Sequence, residues 1–75
     1  MIDTPQYSMV IEWSPENQCY VVILPEWAGM YAMPVGDGIT YEEAVASGRN
    51  AIESFIEIAR QDNQTLPQPK VFDAA

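Results

Sequence analysis

Cys19-Tyr-Val-Val-Ile-Leu24 is apolar at every position, and this run constrains the fold more than any other feature of the chain. It reads as a strand that seeks cover on both faces. Before it, Gln6 to Trp13 alternates, with Tyr7, Met9, Ile11 and Trp13 on one side and Ser8, Val10 and Glu12 on the other, the pattern of a half-buried strand. Between the two lies Ser14-Pro-Glu-Asn-Gln18, a cluster of turn formers, so the pair is expected to form a hairpin. Pro25 closes the second strand and Gly29 permits a reversal. Met30 to Val35 then reads as a third strand, placed at an edge or ended early by Pro34, which has no amide to donate.

Gly36-Asp-Gly38 is expected to be a turn. Thr40 with Glu43 three residues later fits a capping box, so a helix should begin at Tyr41. Tyr41, Val45, Gly48, Ile52, Phe55, Ile56 and Ala59 share one stripe at helical spacing, which must lie on the sheet. Gly48 sits within that stripe, where a missing side chain allows close approach to a bulky sheet residue despite a propensity cost of about 1 kcal/mol relative to alanine. The apolar period is lost over Gln61 to Gln64, and Leu66-Pro-Gln-Pro69 favours an extended segment. Lys70 to Phe72 reads as a short fourth strand or a frayed end. The expected fold is therefore α+β and two-layered: a three-stranded antiparallel meander, one packed helix and that short last strand, in a single domain over residues 1–75 with flexible ends at 1–5 and 73–75.

One helix covers one face of a sheet. Cys19, Val21 and Ile23 oppose Tyr20, Val22 and Leu24, and Met30 and Ala32 oppose Tyr31, Met33 and Val35, so apolar side chains stand on both faces. An apolar patch left without cover marks an interaction site. A chain of 75 residues buries only about 60% of the surface its unfolded form exposes and gains from additional support. With one cysteine and no histidine, neither an intrachain disulfide nor a four-ligand zinc site is available. Association with a second copy or with another protein is the remaining route.

Eleven Asp and Glu against three Lys and Arg give a net charge of −8, which opposes nucleic acid and anionic lipid and favours a basic protein. The same acidity also serves plain solubility. Neither a signal-peptide pattern nor an apolar run long enough to span a bilayer is present, so a cytoplasmic location is expected.

Catalysis finds little support. Cys19 has no histidine to activate it, and an apolar strand raises a thiol's pKa, so a small core residue is the better reading. Gly36-Asp-Gly38 lacks the glycine spacing and lysine of a phosphate loop. A nuclease would need several carboxylates converging on two metal ions. Glu12, one helix glutamate and Asp73 are the only candidates, and the helix carboxylates are otherwise explained by the helix N-terminus and a solvated face. No cofactor or metal is expected. The aromatic residues lack the basic groove that base-stacking platforms carry, and belong to the core or to a protein interface. Trp27 stands open between those two roles: it follows Pro25 and Glu26 in a loop, and Trp is enriched at binding hot spots. The candidate interface residues are Trp27, Met30, Tyr31, Met33, Tyr20, Val22 and Glu12.

Tyr20-Val-Val followed by Pro25 and Gly29, then Gly38-Ile-Thr-Tyr-Glu-Glu-Ala44, an amphipathic helix and Leu66-Pro-Gln-Pro69 together resemble the HicB-like antitoxin family. The resemblance spans about residues 7 to 69. It implies a truncated ribonuclease-H-like fold (β-β-β-α-β) and a non-enzymatic domain that binds and blocks a small basic toxin cleaving messenger RNA. Many members also carry a C-terminal DNA-binding region. Six residues follow Pro69, too few for a helix-turn-helix or ribbon-helix-helix element, so direct DNA binding is not expected. Ile39 stands where the family commonly has an acidic residue. A solitary homo-oligomeric scaffold or small-ligand binder without a toxin is the alternative.

Overall fold

The computed structural model describes residues 6–73. Of the ends expected to be flexible, residues 1–5, 74 and 75 lie outside the described residues, and Asp73 is exposed without regular structure. Three antiparallel strands in the order β1-β2-β3 and one helix make an α+β fold: β1 is Val10–Ser14, β2 Cys19–Ile23, β3 Gly36–Gly38 and α1 Tyr41–Gln61.

The hairpin forms where turn chemistry places it. Ser14 pairs with Cys19 and Val10 with Ile23, and Gln18 takes a left-handed conformation, φ 55°, as its amide donates to the Ser14 carbonyl at 2.8 Å. β1 starts later than the alternation suggested. The Ser8 amide is directed instead to the Glu26 carboxylate, at 3.0 and 3.2 Å from its two oxygens.

The third strand departs from expectation. Met30 to Val35 contains no strand. Pro25–Trp27 forms a turn of 3₁₀ helix, and the amides of both Met30 and Tyr31 donate to the Trp27 carbonyl, at 2.9 and 3.0 Å. With those donors committed to the turn and Pro34 lacking one, no ladder can form there. Pairing begins at the Val35 amide, 2.9 Å from the Val22 carbonyl, and continues through Gly36–Gly38, the segment expected to be a turn. Glycine is a poor strand former, but tertiary packing favours it here. A Cβ on Gly36 would run into the Ser47 side chain, and one on Gly38 into the backbone of Glu43 and Ala44. The bare strand lets α1 rest on the sheet.

α1 begins at Tyr41 as the Thr40/Glu43 pair predicts, with the Glu43 side chain reaching the amide of Ile39 and not that of Thr40. Thr40 Oγ1 accepts the Glu43 amide at 3.1 Å and Glu43 Oε1 accepts the Ile39 amide at 2.9 Å. At the other end Asn63 is left-handed (φ 55°), its amide donates to Arg60, and the Gln64 amide donates to Ala59 at 2.8 Å. This is a Schellman closure with asparagine in place of glycine. Ala44, Gly48, Ile52, Ile56 and Ala59 are the helix's buried positions. Gly48 meets the sheet closely, since a Cβ there would lie 2.7 Å from Met9 Sδ and 3.0 Å from Val22 Cγ1.

After the helix the chain returns toward β1 without forming a strand, so the expected fourth strand at Lys70–Phe72 is not present among the described residues. The segment is held by side chains. Tyr7 Oη donates to the Pro67 carbonyl at 2.7 Å, Ser8 Oγ to the Lys70 carbonyl at 3.3 Å, and the Lys70 amide to Glu26 Oε2 at 2.8 Å. Glu26 thereby ties the approach to β1 and the tail to one carboxylate.

Candidate protein-interaction surface

The hairpin register divides the sheet's side chains between its two faces. Ile11 and Val22, and Trp13 and Tyr20, stand opposite each other on the side covered by α1. The other side carries Val10 with Ile23, Glu12 with Val21 and Ser14 with Cys19, and Val21 faces Asp37 across β3. No described element covers this face. Its apolar strip along β2 is flanked on both sides by an exposed carboxylate, Glu12 on β1 and Asp37 on β3. Strands lie nearly 5 Å apart, so the backbones of Glu12 and Asp37 sit about 10 Å from each other across Val21. Among the described residues no group of three or more His, Cys, Asp or Glu is placed to hold a metal ion.

The candidate residues separate into distinct places. Val22 is fully buried beneath α1. Trp27 is 1% exposed and anchors the core. Its ring centroid is 5.2 Å from Tyr7 and 5.3 Å from Phe55, and its indole Nε1 is buried without a hydrogen-bond partner. Tyr31 stacks on Phe55 at 3.9 Å with the rings 3° from parallel. Met33 packs against the same core, its Sδ accepting the Leu24 amide at 3.5 Å. Met30 is half exposed, apart from these. Glu12 belongs to the open sheet face.

Tyr20 belongs to a second surface, beside the N-terminus of α1. Its ring lies between Trp13, edge-on at 5.1 Å, and Tyr41, stacked at 4.4 Å and 26°. Trp13 is 49% and Tyr41 59% exposed, so the outer rings meet water while Tyr20 is held between them. Burial, then the charge and hydrogen bonding of the Tyr41 hydroxyl, push the Tyr20 phenol above its ordinary 10.0. Tyr20 is therefore neutral at physiological pH.

Trp13, Val21, Asp37 and Tyr41 were not among the candidate interface residues. Asp37 was hidden because a Gly-Asp-Gly segment resembles a turn, and Tyr41 because helical periodicity placed it on the packed stripe. The 14–19 hairpin closure was a usable signal for the Trp13–Tyr20 pair. On the tail side, burial raises the Glu26 carboxyl, but the amides of Lys70, Ser8 and Glu26 itself outweigh it and hold the group below its usual 4.5.

Residues 7–75 match the family model described as the HicB_like antitoxin of bacterial toxin-antitoxin system. No curated protein and no solved structure matches the chain. No helix among the described residues is long and apolar enough to cross a membrane.

Proposed function

Because the chain belongs to the HicB-like antitoxin family of bacterial toxin-antitoxin systems, we propose that it is a non-enzymatic, cytoplasmic antitoxin that neutralises a small, basic, RNA-cleaving toxin by binding it. The family match carries this reading, and charge supports it. A lysine or arginine can lay its methylenes along Val21 and bring its head to Glu12 or Asp37, the two carboxylates beside that residue. Such complementarity accelerates encounter and rejects like-charged partners more than it adds affinity. A second copy suits this face poorly. Across a two-fold axis the same carboxylates would be brought toward one another.

Self-association uses the outer edge of β1 instead, which is an end strand of the sheet and therefore a template for pairing. Val71 and Phe72, 76% and 91% exposed, follow directly on the Lys70 pinned beside Ser8 and add apolar area to such a contact. Light scattering on the isolated protein tests this: a monomer at all concentrations removes self-association from the proposal.

The toxin-binding claim is tested by co-expression with a candidate toxin, defined as a small basic protein whose reading frame adjoins this one. Growth should be restored and the two proteins should elute together. Continued growth arrest in the presence of soluble, folded antitoxin would refute it.

A further inference from the structure

In the aromatic cluster beside the helix N-terminus, Tyr20 packs against the core while Trp13 and Tyr41 are not among the core residues. Trp13 and Tyr41 leave about half of their surface in water, yet the three rings are already ordered against one another through an edge contact and a stack. Preformed ring faces of this kind attract cations through the ring quadrupole, and guanidinium in particular, which is planar, weakly hydrated and able to lie flat on a ring. The electrostatic setting agrees. Glu42 and Glu43 follow Tyr41 in the chain, and their two charges outweigh the roughly +0.5 of the helix terminus. Of the protein's own cations, Arg60 is in the last turn of α1 and Lys70 on the tail, while Arg49 lies two turns along α1 and lines one surface depression with Tyr41 and Glu42.

We infer that Trp13, Tyr20 and Tyr41 form a platform that receives an arginine side chain of the basic partner, with Tyr20 acting as the spacer that holds the two outer rings. This rests on the antitoxin reading above and adds to it a chemical preference: arginine over lysine. The open sheet face, with Glu12 and Asp37, accepts either cation. The platform distinguishes them.

Octa-arginine and octa-lysine, equal in charge and length, are the probes. Their fluorescence anisotropy is measured at low salt with the wild-type protein and with Trp13→Ala, Tyr41→Ala and Tyr41→Phe. Wild type should bind octa-arginine about five- to ten-fold more tightly. Each alanine variant should lose about two- to five-fold in arginine affinity, the range of an exposed cation–ring contact, with lysine affinity unchanged. Tyr41→Phe keeps the ring and should keep the preference. Thermal melts confirm that the variants are folded, and Tyr41→Phe supplies the comparison if an alanine variant is not. Equal affinity of wild type for the two probes, or a preference undiminished in both alanine variants, overturns the platform while leaving the basic-partner reading intact. Failure of both probes to bind overturns the platform and the charge argument together. Co-expression with the candidate toxin then decides the antitoxin reading on its own.

Discussion

Gly38→Ala should destabilise the protein more than Gly48→Ala, although both place one methyl group between helix and sheet. None of the described glycines has positive φ, so the effect is one of space and not of backbone conformation. A Cβ on Gly38 would meet Glu43 C and Cβ at 2.7 Å, and the Ala44 amide nitrogen closer still. Those atoms form the first turn of α1, held by the Glu43 amide donating to Thr40 Oγ1 and the Ile39 amide donating to Glu43 Oε1. Relief requires the helix to lift from β3. Overpacking of this kind costs about 1–3 kcal/mol, with an immovable backbone placing Gly38 near the upper end. Reduced freedom of the unfolded chain returns at most about 1 kcal/mol. A Cβ on Gly48 would meet Met9 Sδ at 2.7 Å, Met9 Cε at 2.9 Å and Val22 Cγ1 at 3.0 Å. The end of Met9 is flexible and can swing away; the buried, β-branched Val22 cannot. Alanine also gains about 1 kcal/mol of helix propensity at this position. The net loss is about 2 kcal/mol for Gly38→Ala and about 0–1 kcal/mol for Gly48→Ala. With a urea m-value on the order of 1 kcal/mol/M for a small chain, the midpoints should differ by about 1–2 M. Urea titration followed by far-ultraviolet circular dichroism reads this directly. Wild-type stability in Gly38→Ala, or a larger loss in Gly48→Ala, would show that the packing argument is wrong.

Trp27→Ala should cost about 3–5 kcal/mol, whereas Met30→Ala at its half-exposed site should stay within about 0.5 kcal/mol; in Trp27→Phe, removal of the unpaired Nε1 should offset part of the lost ring volume, and thermal melts rank all three. Because the folded Glu26 carboxyl lies below its ordinary 4.5, its contribution is fully present above pH 4.5 and declines as pH falls through the folded value. Glu26→Gln should flatten that acid limb, and an unchanged acid titration of stability would count against the clamp. Glu12→Lys and Asp37→Lys should each leave the melting temperature within a few degrees of wild type but weaken co-elution with the basic partner. Reversing both should abolish it at physiological salt, and unimpaired complex formation by the double variant would remove the open face from the interface.

Some parts of the molecule were legible residue by residue. The Thr40–Glu43 pair marks the first residue of α1, the apolar stripe identifies the face it buries, and Gly48 announces close approach. The turn cluster after Ser14 closes a hairpin. The third strand was not legible. Met30 to Val35 has strand-like residues and Gly36 to Gly38 does not, but the amides of Met30 and Tyr31 are consumed by a turn around Trp27 that no local pattern reveals. Trp27 itself, between loop and core in the sequence, is drawn inward by Tyr7 and Phe55, which are 20 and 28 residues away from it.

Taken alone, the sequence determined the hairpin, the limits and packed side of the helix, the acidity and the inability of one helix to shield two sheet faces, because each depends on neighbours within about a turn or a strand. Tertiary structure decided which segment became β3, that Glu12 and Asp37 flank Val21, and that Tyr41 stacks on Tyr20. Those outcomes depend on contacts between residues far apart along the chain. Their energies arise only when helix and sheet meet, and there the two unsubstituted α-carbons of Gly36 and Gly38 outweighed the strand preference of a more apolar rival.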